Sequence, residues 1–123
     1  MPDTLQTLQD AVNHDAWLVR RGRFVDTCFM LEAGAIQHLV AIHRGRIESV
    51  TKGPFAMPRW VFALRAPEHA WSNFRRAPPP PGFNDIFAMV KSRVLVIEGD
   101  QHVLMANLLY FKDMLAKLRE KAP

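Results

Sequence analysis

The side chains best suited to metal binding, nucleophilic attack or general-base chemistry are five histidines, His14, His38, His43, His69 and His102, and one cysteine, Cys28. No two of the histidines stand four residues apart, so none share a helix face as a ligand pair. His38 falls in the middle of a strand-like run and reads as a hydrogen-bonded structural histidine. Cys28 has no second cysteine to pair with and sits in no metal-ligand spacing. It lies in an alternating apolar segment and reads as a buried, inert thiol. Glu98 and Asp100 form a close acidic pair, but they flank Gly99, and Asp100 suits a helix cap. No nucleophile has a matched base, so neither catalytic residues, a metal nor a cofactor is expected. Arg75 and Arg76 end a helical segment, where positive charge complements the dipole. Two guanidinium groups there could also grip a carboxylate or a phosphate.

These residues belong to a chain of 123 residues that is 49% apolar. That length fits one domain over residues 1–123, able to bury roughly two thirds of its unfolded surface. No apolar run approaches the roughly 20 residues of a membrane span. The N-terminal stretch is acidic and has no apolar signal region, so the expected location is the cytoplasm. The net charge is +4, but it is unevenly placed. Residues 1–19 carry three acids and no base, while residues 20–93 carry twelve bases and five acids. The basic middle could attract anionic headgroups, a phosphorylated ligand tail or nucleic acid, or be a solvated surface spread over several elements.

Periodicity places the elements. Leu5, Leu8 and Val12 mark a helix over 4–16, with Asp3 and Gln6 as a capping pair. Strand-like runs follow at 23–32, 36–43 and 46–51, the last two joined by the compact turn Arg44-Gly45 and therefore antiparallel. Residues 59–65 alternate, with Trp60, Phe62 and Leu64 on one face, as in a half-exposed strand. Helices are expected over 67–76 and 84–92, separated by the rigid run Pro78 to Pro81. A fifth strand covers 93–98, and the length of its connection from strand four fits a crossover to a parallel neighbour. A long final helix runs to about residue 120, with Leu104, Leu108, Phe111, Leu115 and Leu118 as its inward stripe, widened by Val103 and Met114.

This order of elements, with the strand closing in Ile97-Glu98-Gly99-Asp100 before a long apolar helix, resembles the sterol carrier protein 2 (SCP2) family of lipid-transfer domains. The resemblance covers roughly residues 5–120. The C-terminal Lys121-Ala122-Pro123 is not a peroxisomal signal, which suits a bacterial-type stand-alone member. The proline run at 78–81 departs from the short polar turn expected there. The resemblance implies an α+β fold: a five-stranded, mixed, mostly antiparallel sheet in the order 3-2-1-4-5, covered on one face by helices. It also implies an apolar tunnel between sheet and helices that holds a fatty acid, a fatty acyl-CoA or a sterol.

The residues that the resemblance brings to that tunnel are Phe83, Ile86, Phe87, Val90, Met105, Leu108 and Leu109. Adaptable apolar side chains of this kind suit a lipid wall, and they suit an ordinary core equally well. Trp60 and Trp71 could stand at its mouth or be packed aromatics. Arg75 and Arg76 are the candidates for an anionic head. The reading is a non-enzymatic carrier of an apolar or amphipathic lipid, with transient contact to an anionic membrane surface or a partner enzyme. The rival is an accessory module for a lipid- or polyprenyl-processing enzyme. An enzyme lacks its residues, and a nucleic-acid binder lacks a recognisable aromatic-basic motif.

Overall fold

A computed structural model describes residues 2–56 and 58–119, with side chains from Leu5 onward. The elements are α1 (Pro2–Asn13), α2 (Ala16–Arg21), β1 (Asp26–Ala33), β2 (Ile36–His43), β3 (Arg46–Lys52), β4 (Phe62–Ala66), α3 (Glu68–Phe74), α4 (Ile86–Lys91), β5 (Val96–Gly99), α5 (His102–Ala106) and α6 (Leu108–Ala116). The Asp3 side chain and the C-terminal tripeptide lie outside what is described.

The strands form one sheet in the order β3-β2-β1-β4-β5. The β1–β2–β3 meander is antiparallel, and β1 pairs with β4 in parallel. β5 runs antiparallel to β4, with Leu64 opposite Ile97. The expected parallel crossover is therefore corrected. Connection length alone permits either direction, and two helices between the strands return the chain to the end where β4 finished.

Phe29, Leu31 and Ala33 of β1, Val40 and Ile42 of β2, and Phe62 and Leu64 of β4 share one face of the sheet and belong to one buried core with the helices. At its centre Phe29 and Phe62 stack at 5.1 Å, and Phe111 of α6 meets both edge-on at 6.1 and 5.6 Å. Edge-to-face rings add to the stabilisation their burial already gives. Most of the final stripe points inward as expected: Leu104, Phe111, Leu115 and Leu118 are buried with Met114, and Leu108 is half-buried.

The single final helix is in fact two. Asn107 departs from helical backbone at φ −126, ψ 41, and its side-chain amide donates to the Val103 carbonyl at 3.0 Å. Asn competes for backbone partners in this way. The N-terminal helix ends at Asn13, short of the expected residue 16, and a helix not expected from the sequence, α2, starts where the Asp15 carboxylate accepts from the Leu18 N–H at 3.1 Å. β4 is not half-exposed. It lies between β1 and β5, and its second face is partly covered: Met30 and Ala63 are buried outside the main core. Trp60 lies on that side too, its ring centre 5.7 Å from the Arg65 guanidinium. Trp71 is a packed aromatic whose indole N–H donates to the Glu32 carbonyl at 2.9 Å.

Two polar expectations are also corrected. His38 is buried, at 2% exposure, but its Nδ1 has no hydrogen-bond partner among the described residues. Cys28 is half-buried, not enclosed, and desolvation pushes its thiol pKa up, which keeps it protonated.

Candidate ligand groove

An open apolar groove of about 430 Å³ runs along the outer edge of the sheet, beside β5. Phe87 and Val90 come from α4, Leu95, Val96 and Ile97 from the chain entering and forming β5, and Met105 from α5. Arg93 and Gln101 supply its polar rim. The volume lies within the ~300–1,000 Å³ common for small-molecule sites, and a mostly apolar wall with few polar groups suits an amphiphile.

The wall is held by local devices. The Asp85 carboxylate accepts from the Ala88 N–H at 2.8 Å and caps α4. Lys112 of α6 sits 3.3 Å from Asp85 and 5.8 Å from the centre of the Phe87 ring, tying the last helix to the groove. Burial alone would raise the Asp85 pKa, but the Ala88 N–H and Lys112 outweigh it and hold the carboxyl below its ordinary value. After α4, Arg93 takes a positive φ of 64. This is the left-handed position that commonly follows a helix and usually carries Gly or Asn. Here it leaves an exposed guanidinium beside an apolar slot. Gln101 is steadied by a 3.4 Å contact from its amide to the Ile97 carbonyl.

Of the seven side chains expected at the lipid wall, Phe87, Val90 and Met105 meet in this groove. Leu108 and Leu109 line a neighbouring hollow of about 330 Å³, which Met105 also borders. Ile86 is part of the packed core, and Phe83 packs against it. Met105 does not face inward. It is 49% exposed, because it stands one position past the buried Leu104, about 100° round α5 from the inward stripe. The space between α6 and the centre of the sheet is filled by Phe29, Phe62 and Phe111, so the hollow lies at the sheet's edge.

Arg75 and Arg76 border neither hollow. Arg75 Nε donates to the Leu118 carbonyl at 3.3 Å, joining the end of α3 to the end of α6. Glu98 pairs with Arg65 at 3.0 Å, and Asp100 accepts from the His102 N–H at 3.0 Å at the start of α5. Sequence reading missed Arg93, Gln101 and the run 95–97 as lining. Leu95 to Ile97 looked like ordinary strand. The one signal for Arg93 was an arginine where a helix ends without glycine. Among the described residues, no group of three or more His, Cys, Asp or Glu is placed to hold a metal ion, and no helix is long and apolar enough to cross a membrane.

No family profile and no curated protein sequence matches the chain. Its three-dimensional form does match solved structures. A crystal structure of sterol carrier protein 2 superposes with a TM-score of 0.76 at 11% identity, over 98% of this chain and 96% of that one. A conserved hypothetical protein of Thermus thermophilus, suggested to be a sterol carrier protein, gives 0.71 at 7% identity, over 100% and 91%. The ubiquinone synthesis protein UbiJ-SCP2 gives 0.58 at 14%, over 89% and 90%. At such identities the likeness speaks for architecture alone, and the strand order and helical cover agree with the resemblance read from the sequence: the chain has the sterol carrier protein 2 fold.

Proposed function

We propose that this protein is a non-enzymatic lipid carrier that seats the apolar chain of a fatty acid, a fatty acyl-CoA or a sterol-like molecule against Phe87, Val90, Ile97 and Met105. Arg93 would meet an anionic head at the rim, in the role first expected of Arg75 and Arg76. The observation that carries this reading is the chemistry of the groove: six apolar side chains beside one arginine and one glutamine. The fold supports it, since a solved structure of similar form is a palmitated SCP2L2 from Aedes aegypti, at a TM-score of 0.52 and 17% identity. Leu108 and Leu109 in the adjoining hollow give a longer tail room to continue.

Native mass spectrometry of the purified protein, followed by solvent extraction, tests this reading. A co-purified mass that extracts as a fatty acyl compound or sterol is expected. Only apo protein, both as purified and after incubation with palmitate, would count against it.

A second reading has its own observation. Met105 and Leu109 are large, apolar and 49% and 62% exposed, and UbiJ-SCP2 is described as a ubiquinone synthesis protein. An accessory module could present this surface to a lipid- or polyprenyl-processing enzyme.

A further inference from the structure

The sheet ends in two edge strands, β3 and β5, and the two edges are finished differently. The outer side of β3 is sealed by α1. The Asn13 side chain donates to the Ile47 carbonyl at 2.9 Å and accepts from the Ile47 N–H at 2.8 Å. Gln9 Nε2 stands 3.3 Å from both the Ile47 and the Glu48 carbonyls. At β5 the Asp100 N–H donates to the Val61 carbonyl at 2.9 Å. Antiparallel alternation then turns the main chains of Glu98 and Val96 towards β4 and that of Ile97 outward. The Ile97 carbonyl receives a long 3.4 Å contact from Gln101 Nε2. β5 itself carries no proline, no lysine and no bulge, the usual guards of an open edge.

Four of the seven large apolar side chains exposed among the described residues gather at this edge. Val90, Val96 and Met105 border the groove, and Val61 bonds to Asp100 where β5 ends. Charge is sorted along the same segment. Its entry carries Lys91 and Arg93, and its exit carries Glu98 and Asp100. Among the described residues, no ion pair engages Lys91, Arg93 or Asp100. A strand with one basic and one acidic end is complementary to an antiparallel copy of itself.

We propose that two copies of this chain pair through their β5 edges, about a two-fold axis at Ile97, and so cover each other's groove. The two Ile97 residues exchange N–H to carbonyl bonds and join the sheets into one. This register sets Val96 opposite Glu98 of the second copy, and Arg93 opposite its Gln101 and beside its Asp100. A register centred on Glu98 would instead oppose two like charges. The two helical layers fall on the same side of the joined sheet, so α4 and α5 of the two copies face each other across the grooves. The contact is isologous and closes at two copies. The second copy thus takes the wall and the arginine that a fatty acid would use, and a bound fatty acid should dissolve the pair. That consequence rests on the carrier reading; the pairing does not.

Sedimentation velocity over a concentration series tests it, first without lipid. Wild type should pass from monomer to dimer as its concentration rises to the millimolar range. Val96→Glu opposes a carboxylate to Glu98 of the second copy at two symmetric places and should weaken the dimer about tenfold or more. Asp100→Asn keeps a good helix cap but loses the charge. With two exposed ion pairs lost, it should weaken the dimer about 2- to 30-fold. Thr51→Glu, on β3, should change nothing. Should Val96→Glu fail to fold, hydrogen exchange at the wild-type Ile97 amide decides, because it should slow as the dimer forms. Wild type that stays monomeric at millimolar concentration overturns the proposal. So does a dimer that a folded Val96→Glu leaves unchanged, or exchange at Ile97 that is independent of concentration. Palmitate, with its uptake measured by competition against a fluorescent fatty acid, separates the two ideas. A dimer that dissociates as palmitate binds supports both. A dimer that takes up no palmitate sustains the pairing and sinks the carrier, and uptake by a protein that never dimerises does the reverse. A dimer that binds palmitate without dissociating overturns the covering of the groove.

Discussion

The ring of Tyr110 occupies the place where a side chain at residue 22 would have to stand: a Cβ built on Gly22 collides with its Cε1, Cδ1 and Cζ. Beyond Gly22, the Tyr110 hydroxyl donates to the buried Gly45 carbonyl at 2.6 Å. One tyrosine of α6 thus pins the end of α2 and the β2–β3 turn together. Burial pushes its phenol well above the ordinary value, so it stays a donor throughout the working pH range.

Gly22→Ala should therefore destabilise the fold by about 1–3 kcal/mol through overpacking. Tyr110→Phe should cost about 1–3 kcal/mol by leaving a buried carbonyl without its donor. Urea unfolding at neutral pH reads both. A midpoint unchanged by Gly22→Ala would mean that α2 does not pack on Tyr110 as described.

Met105→Trp probes the groove. At 49% exposure, Met105 has room for a larger ring, so the melting temperature should hold or rise. The ring would fill groove space that a ligand needs, and uptake of a fluorescent fatty acid should fall. Stability lost with uptake intact would assign Met105 to plain packing and take α5 out of the lining.

Arg93→Gln tests the head group. An exposed ion pair is worth about 0.2–1 kcal/mol, so affinity for a free fatty acid should drop by a factor of about 1.4 to 5. Affinity for the matching methyl ester, which has no charge, should not change. Competition against a fluorescent fatty acid measures both, and equal losses for acid and ester would rule out a charge contact.

His38 sets a pH slope. Burial is the larger cause and Lys52 the second, and both hold the imidazole pKa below its ordinary value. The unfolded chain takes up this proton at about pH 6.5. Stability contributed by neutral His38 is thus complete above about pH 6.5 and declines as pH falls towards the folded-state value. His38→Leu should lose less of its urea midpoint than wild type between about pH 7 and pH 5.5, where the change in His38 charge dominates the difference. Parallel pH profiles for the two proteins would contradict this.

Sequence periodicity captured the meander well because its strands alternate and its turn is short: β2 is found at 36–43 as expected, and Arg44 and Gly45 both take the positive φ of a tight hairpin. It failed where tertiary contacts overrule local pattern. Phe24 and Val25 read as strand, yet the Val25 N–H closes a turn onto the Gly22 carbonyl and leaves Phe24 in solvent. Residues 59–61 alternate like a strand, yet β4 begins at Phe62, and Val61 only joins its ladder through bonds to the Cys28 carbonyl and the Asp100 N–H. Asn107 divides the final helix and Asp15 caps an extra one, α2, each through the hydrogen bonds of a single polar residue that an apolar stripe does not register. The groove was half legible. Phe87, Val90 and Met105 came from the right elements, but the rim arginine depends on a backbone angle at residue 93, and the opposite wall depends on β5 being an edge strand.

Backbone amide chemical shifts during titration with palmitate test the central claim most directly. A ligand that binds the folded state stabilises it by RT ln(1 + [L]/Kd), about 2.7 kcal/mol at a hundredfold excess, so binding should also raise the melting temperature. The expected shifts cluster at Phe87, Val90, Arg93, Ile97, Gln101 and Met105 and saturate with one equivalent per chain. Saturable shifts confined to α1 and β3, or no saturable shift up to the solubility limit of palmitate, would contradict a lipid carrier built on this groove.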